Sequence, residues 1–486
     1  MSGRLTTTLT GVVGLLVVVE LTSGVLQGYY TPMLSDIARH LGIHDADVNW
    51  LEGAQLMLSA LVVPAFAKLG DMVGHKRMLL WSTAVTALAS LALPLTDSFV
   101  LFLLAWAVQG VYVVWLPLQV ALVWSRVADA PDRAAVTAAA AGLLVAALQL
   151  GAISGALAGG ALVDLLPLRV VLLLPALLVV ACFVVVLVGV QETPEPAGGR
   201  LDVVGLLLVS LALATSLGGL SLLRVVGAGS PLPWALAALG LVLLVPFVRW
   251  ELRHDDPLVD VRMFASPTLR PIFLTAGLFG VSVLGAQAPL STFARTDPDA
   301  VGYGLGTSGF TTSLIIGLYL VAMVVGALSF PVVARRLTPR VTLMGASTCV
   351  GVGFLALVPL SGAYLTVVAC MVVVGLGSGA LVAALPAAAA SAAPRRQTGV
   401  ATGLTNSVKT VGGAVASAVF GLALLQGAGQ VGAGTAAGDT AASFSGYVTV
   451  WVMCSATGFL AAGLLVLVPR HAFTDDPEVL PAPTAG

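Results

Sequence analysis

Fourteen apolar runs constrain this chain more than any other feature in it. They begin near residues 9, 49, 78, 98, 135, 168, 201, 232, 270, 308, 341, 363, 399 and 444. Each approaches the ~20 residues that a helix needs to cross a ~30 Å hydrocarbon core. With 58% of its 486 residues hydrophobic and 9% charged, the chain lacks the polar surface of a soluble protein of this length. The fold class read from this is an all-α polytopic membrane protein, with spans numbered 1 to 14 in chain order.

An even number of spans leaves both termini on one side, and the positive-inside rule chooses which. With a cytoplasmic N-terminus, the inner segments carry seventeen Lys and Arg and the outer ones four (Arg39, Arg169, Arg224 and Arg295). Lys409, within span 13, completes the 22. The polar stretch QETPEPAGGR (191–200) reads as a linker. The expected organisation is a six-helix bundle over 1–191, the linker with spans 7 and 8 over 192–264, and a second six-helix bundle over 265–472. The tail 473–486, rich in Pro and acids, reads as disordered and cytoplasmic.

Several function classes fall away. The net charge is −1 and no basic tract argues for nucleic acid. Cys182, Cys349, Cys370 and Cys454 lie in apolar runs with neither disulfide nor zinc spacing, and read as buried small hydrophobes. No His-Glu-x-x-His pair, Gly-x-Ser-x-Gly or cluster of metal ligands is present, and all five histidines sit in loops or at span ends. No enzyme, metal or cofactor is expected. The first run is long, carries Glu20 and lacks a cleavage site, so it is expected to remain as a span. An Ala-, Val-, Leu- and Gly-rich composition with few lysines suggests a GC-rich bacterial source and the plasma membrane.

Two stretches carry motifs. Between spans 2 and 3 lies AKLGDMVGHKRML (67–79). There Gly70 and Gly74 allow a tight turn, Asp71 can accept from backbone donors or a basic partner, and Lys76 and Arg77 stay in water. An ordinary basic inner loop is the alternative. In span 5, Gly142, Gly151, Gly155, Gly159 and Gly160 recur near helical spacing and make a smooth face for close helix contact.

Together these residues resemble the major facilitator superfamily, and most closely its fourteen-helix drug:proton antiporter branch. The 69–77 loop matches that family's inner-loop signature, and the span 5 glycines match its antiporter signature, with Ala156 where proline is usual. RLDVVG (200–205), DPLVDVRMF (256–264) and TGLTNSVKTVGGAV (402–415) resemble further segments of the branch. In span 4, Gln109 and Gly110 fit a family motif whose arginine position holds Trp106. That arginine is associated with proton coupling in the family. Glu20-Leu21-Thr22 loosely replaces an Asp-x-Thr pattern, and Gln55 replaces an aromatic residue.

Glu20 is the acid that needs explaining. A charge at mid-bilayer costs roughly 2.5–3.5 kcal/mol on insertion scales. From a start near residue 9 it lies about 16 Å deep, close to the midplane. Glu20, Ser23, Gly24, Gln27 and Thr31 share one helical face. In this fold, the resemblance implies, span 1 lines the central cavity. Glu20 either pairs with Lys409, at similar depth in span 13, or binds and releases a proton. Glu52 reads as an interface acid beside a headgroup-level Trp50, or as a cavity or gate residue. Trp106, Gln109, Tyr112 and Trp115 of span 4 suit a flat, partly apolar ligand, although Trp115 serves packing about as well. Gln27, Gln55, Gln287 and Asn406 are further cavity candidates.

The expected partners are a small-molecule substrate, protons and the lipid bilayer, with the chain a monomer. The two bundles are expected to rock about a midplane site, exporting neutral or monocationic amphiphiles. The resemblance implies that Asp71, Lys76 and Arg77 hold the inner side closed when the cavity opens outward. A substrate-specific exporter without proton coupling is the second reading, raised by Trp106.

Overall fold

The computed structural model describes residues 13–127, 133–192, 201–226, 229–254, 257–393, 398–426 and 441–468. Most of the 191–200 linker, the 473–486 tail, and the inner arginines Arg4, Arg200, Arg395, Arg396 and Arg470 lie outside the described residues. Among the described residues thirteen helices are long and apolar enough to cross a membrane. They are Asp45–Val73, His75–Leu95, Phe99–Arg126, Val136–Val163, Leu168–Gly189, Val203–Leu220, Pro231–Glu251, Leu269–Arg295, Gly309–Leu337, Pro339–Leu360, Tyr364–Ala392, Val400–Leu425 and Phe444–Leu465, which are spans 2 to 14. Span 1 is described over Leu16–Tyr29.

Two cores organise these helices. One is built on spans 1 to 6 around Trp106, Trp115, Phe102 and Met33. The other is built on spans 9 to 14 around Phe273, Phe293, Phe420, Tyr447 and Trp451. Spans 7 and 8 pack on each other, and Leu217 of span 7 meets Trp50, Ala414 and Ala418 of spans 2 and 13. Trp50 is therefore buried among helices. Cys182, Cys370 and Cys454 are buried and free, but Cys349 is exposed on the outer face of its helix.

Backbone contact sets the spacing of spans 1 and 5. A Cβ on Gly151 would lie 2.2 Å from the Leu21 carbonyl oxygen, one on Gly159 2.0 Å from that of Tyr29, and one on Gly24 1.9 Å from that of Leu148. Gly155 meets Val25 in the same way, while Gly160 faces Gly309 and Ser313 of span 10. Gly142 has nothing within 4 Å and takes no part in this seam.

Two spans are broken near their middles. Span 4 runs as Phe99–Gln109, a 3₁₀ stretch Gly110–Val114, and Trp115–Arg126. Span 9 runs as Leu269–Val283 and Gln287–Arg295. Pro117 and Pro289 lie just beyond these breaks. Each ring crowds the carbonyl four residues back and lacks the donor that would bond it. Irregular backbone at this depth is tolerated where protein or a cavity surrounds it.

The candidate transport site between the bundles

A cavity of about 50 Å³ lies where the broken middles of spans 4 and 9 meet spans 1 and 2. Gln27, Gln55, Trp106, Tyr112 and Gln287, all expected there, line it. So does Glu52, which is a cavity residue and not an interface acid. Tyr30 and Thr31 of span 1, with Leu26, Leu56 and Leu284, complete the wall. Tyr30 lies edge-on to Trp106 at 5.0 Å, and Phe102 stacks behind Trp106 at 5.9 Å. Among the described residues Glu52 makes no hydrogen bond or ion pair. Gln55 reaches the Trp106 carbonyl at 3.5 Å, and Gln287 donates to its own helix at Val283, 3.3 Å away. The wall thus offers one unpaired acid, three amides with capacity to spare, and three aromatic rings. At this size the cavity holds a few waters. A drug-sized ligand needs roughly 300–1,000 Å³, so the bundles must separate to admit one.

Five expected positions are corrected. Glu20 is fully buried and does not look into the cavity. Its Oε1 accepts from Gln119 Nε2 at 2.6 Å, inside the first bundle. Close packing against span 5 splits the polar stripe of span 1: its first half turns into the bundle and only Gln27 and Thr31 reach the cavity. The Glu20–Lys409 pair is not formed, and Lys409 has no hydrogen-bond or ion-pair partner among the described residues. Gln109 is buried away from the cavity, donating to Tyr30 Oη and Ser90 Oγ at 2.9 Å each. Trp115 is a packing residue, fully buried beside Tyr112. Asn406 is half-buried on span 13 and does not line the cavity.

One end of the interface is bridged by polar contacts. Arg295, at the end of span 9, donates to Asp36 at 2.8 and 3.0 Å and lies 3.8 Å from Asp164. The Asp164 carboxylate in turn accepts from Gly309 N and Phe310 N, at the start of span 10, at 2.9 and 2.8 Å. That is a capping interaction made across the two bundles. Ser291 Oγ donates to the Thr31 carbonyl nearby. Asp36, Asp164 and Arg295 lie at span ends and in connecting segments, and no motif links them in the sequence.

The 69–77 loop lies at the opposite end and is held within its own bundle. Gly74 has φ +109°, a conformation that side chains resist, whereas Gly70 is helical and leaves room for Leu118 and His75. Asp71 pairs with His75 at 3.1 Å. Glu192 is a further partner: it accepts from the backbone N–H of Lys76 and Arg77 at 2.9 and 3.1 Å, capping span 3. Lys76 Nζ reaches the Leu187 carbonyl at 3.1 Å. In this conformation these loop residues bind their own bundle.

A family model described as Major Facilitator Superfamily matches residues 16–417. The cephamycin export protein CmcT of Amycolatopsis lactamdurans is 29% identical over 463 residues, covering 93% of this chain and 90% of that one. The tetracenomycin C resistance and export protein of Streptomyces glaucescens is 25% identical, covering 79% and 70%. The puromycin resistance protein pur8 of Streptomyces alboniger is 28% identical, covering 80% and 76%. Among solved structures, the POT family transporter PepTSo has a TM-score of 0.65 at 14% identity and covers 95% of this chain and 98% of its own. The nucleoside transporter NupG has a TM-score of 0.63 at 12% identity, covering 93% and 98%. The three curated relatives are named for antibiotic export or resistance, and the fourteen-helix drug:proton antiporter branch fits the helix count. With a family match across most of its length and this paired-bundle architecture, the chain belongs to the major facilitator superfamily.

Proposed function

We propose that the protein is a secondary active exporter of hydrophobic or amphiphilic small molecules, driven by proton antiport. The two bundles alternate access to the Glu52 cavity. The observation that carries this reading is the cavity itself: an unpaired acid among amides and aromatics, at the meeting of two broken helices and two bundles. Broken helices at the midplane are a recurring way of building transport sites. The named export functions of the relatives agree with it. In this reading the seventeen inner basic residues place the Arg77 end in the cytoplasm, both termini with it, and the Arg295 end outside. The arrangement is then closed to the exterior.

Efflux of a panel of labelled amphiphiles from proteoliposomes, with and without an imposed pH gradient, tests this reading. Gradient-driven accumulation is expected. Trp106 at the family's arginine position favours a second reading, export without proton coupling, and flux that ignores the gradient would select it.

A further inference from the structure

Lys409 is the one Lys or Arg well inside a span. One turn further along span 13, Gly413 packs against Leu56 of span 2 and Leu284 of span 9, with a Cβ there 3.1 and 2.7 Å from them. Leu56 and Leu284 are cavity wall. Lys409 therefore lies one helical turn below the cavity, toward the Arg77 end. Its own carbonyl is pressed against Gly280 of span 9, 1.9 Å from where a Cβ would stand, so the backbone position is fixed. Lys409 and Asn406, three residues apart on one face, are both half-buried. Neither side chain has a protein partner among the described residues. From Leu56 toward the Arg77 end, span 2 is only half-buried along most of its length. An ionisable side chain at this depth, half-buried and without a partner, calls for water or a polar ligand beside it.

We infer that Lys409, with the Asn406 amide, receives an acidic group of the exported molecule, making the substrate class amphiphiles that carry a carboxylate or comparably acidic oxygen. This rests on the export reading above and refines it: Glu52 would hold the proton and Lys409 the anion. One acid among the expected cavity residues favours neutral or monocationic cargo. The unpaired ammonium on the route to the cavity reverses that preference. A charge-assisted hydrogen bond in a partly desolvated site is the stronger kind, so removing the anion carries a measurable penalty.

The test uses the purified full-length protein and two probes, N-dansyl-phenylalanine and its methyl ester, followed by dansyl fluorescence on binding. Wild type and Lys409→Arg are expected to bind the acid about tenfold more tightly than the ester, and Lys409→Gln to bind the two alike. Ester binding by Lys409→Gln reports that the variant is folded. Equal binding of acid and ester by wild type, failure of both to bind, or a preference that survives in Lys409→Gln would overturn the inference. Gradient-driven efflux of other amphiphiles alongside such a result would leave the export reading standing.

Discussion

A carboxylate inside a bilayer needs either a partner or water, and Glu20 and Glu52 meet this need differently. Glu20 is sealed in the first bundle with Gln119; Glu52 faces the cavity without a partner. Glu20→Gln keeps an acceptor for Gln119 and is expected to fold and transport like wild type. Glu20→Ala leaves the Gln119 donor stranded, a cost of roughly 1–3 kcal/mol seen as a lower melting temperature in detergent. Loss of transport in well-folded Glu20→Gln would return that acid to the coupling path. Asp97, in the short segment between spans 3 and 4, is a contrasting case. Hydrogen bonds from Arg169 at 2.7 and 2.6 Å, with His40 nearby, hold its carboxyl below the usual carboxylate range. The resulting stabilisation exists near neutral pH and disappears as pH falls through the lowered value. Because the pair is exposed, Arg169→Ala should leave the pH 7 melting temperature almost unchanged. Individual polar residues were legible because an amide or acid in a hydrocarbon run demands a reason. Which way each one pointed was not: in span 4 Trp106 lines the cavity while Gln109, three residues on in the same helix, turns into the bundle.

At the scale of elements, length alone announced the spans, since a bilayer sets a minimum run that few other structures need. The breaks were harder to see. Pro117 and Pro289 are present in the sequence, yet Pro64, Pro175 and Pro246 sit inside helices that continue. Neighbouring helices decide whether the freed carbonyl is tolerated. The glycine stripe was legible as a packing face, but its partner was not. Gly151→Ala should push spans 1 and 5 apart and destabilise by roughly 1–3 kcal/mol, whereas Gly142→Ala, with open space around it, should be neutral. Thermal melts of the two variants check this, and equal effects would mean that the seam is not where stability resides. Glu192→Ala should free two backbone donors at the start of span 3, costing about 1 kcal/mol.

The molecule as a whole is a pair of bundles bridged at one end by a small set of polar contacts that includes Arg295. Arg295 holds Asp36 while Asp164 caps span 10, and both contacts act at the end opposite the Arg77 loop. Removing Arg295 should shift the balance toward the arrangement open at that end, without altering the site. With Cys349 replaced by Ser, a cysteine at Gln27 should react faster with a membrane-impermeant thiol reagent applied from the Asp36 side once Arg295→Ala is added. An unchanged rate would mean that the bridge does not control opening. None of these residues could be picked out beforehand, because a lock across bundles depends on how the two halves dock. The claim on which the account depends is that Glu52 couples protons to export. The direct measurement is efflux against a concentration gradient in proteoliposomes under an imposed pH gradient, comparing wild type with Glu52→Gln. The account predicts uphill transport by wild type and only downhill exchange by the variant; equal uphill transport by both would contradict it.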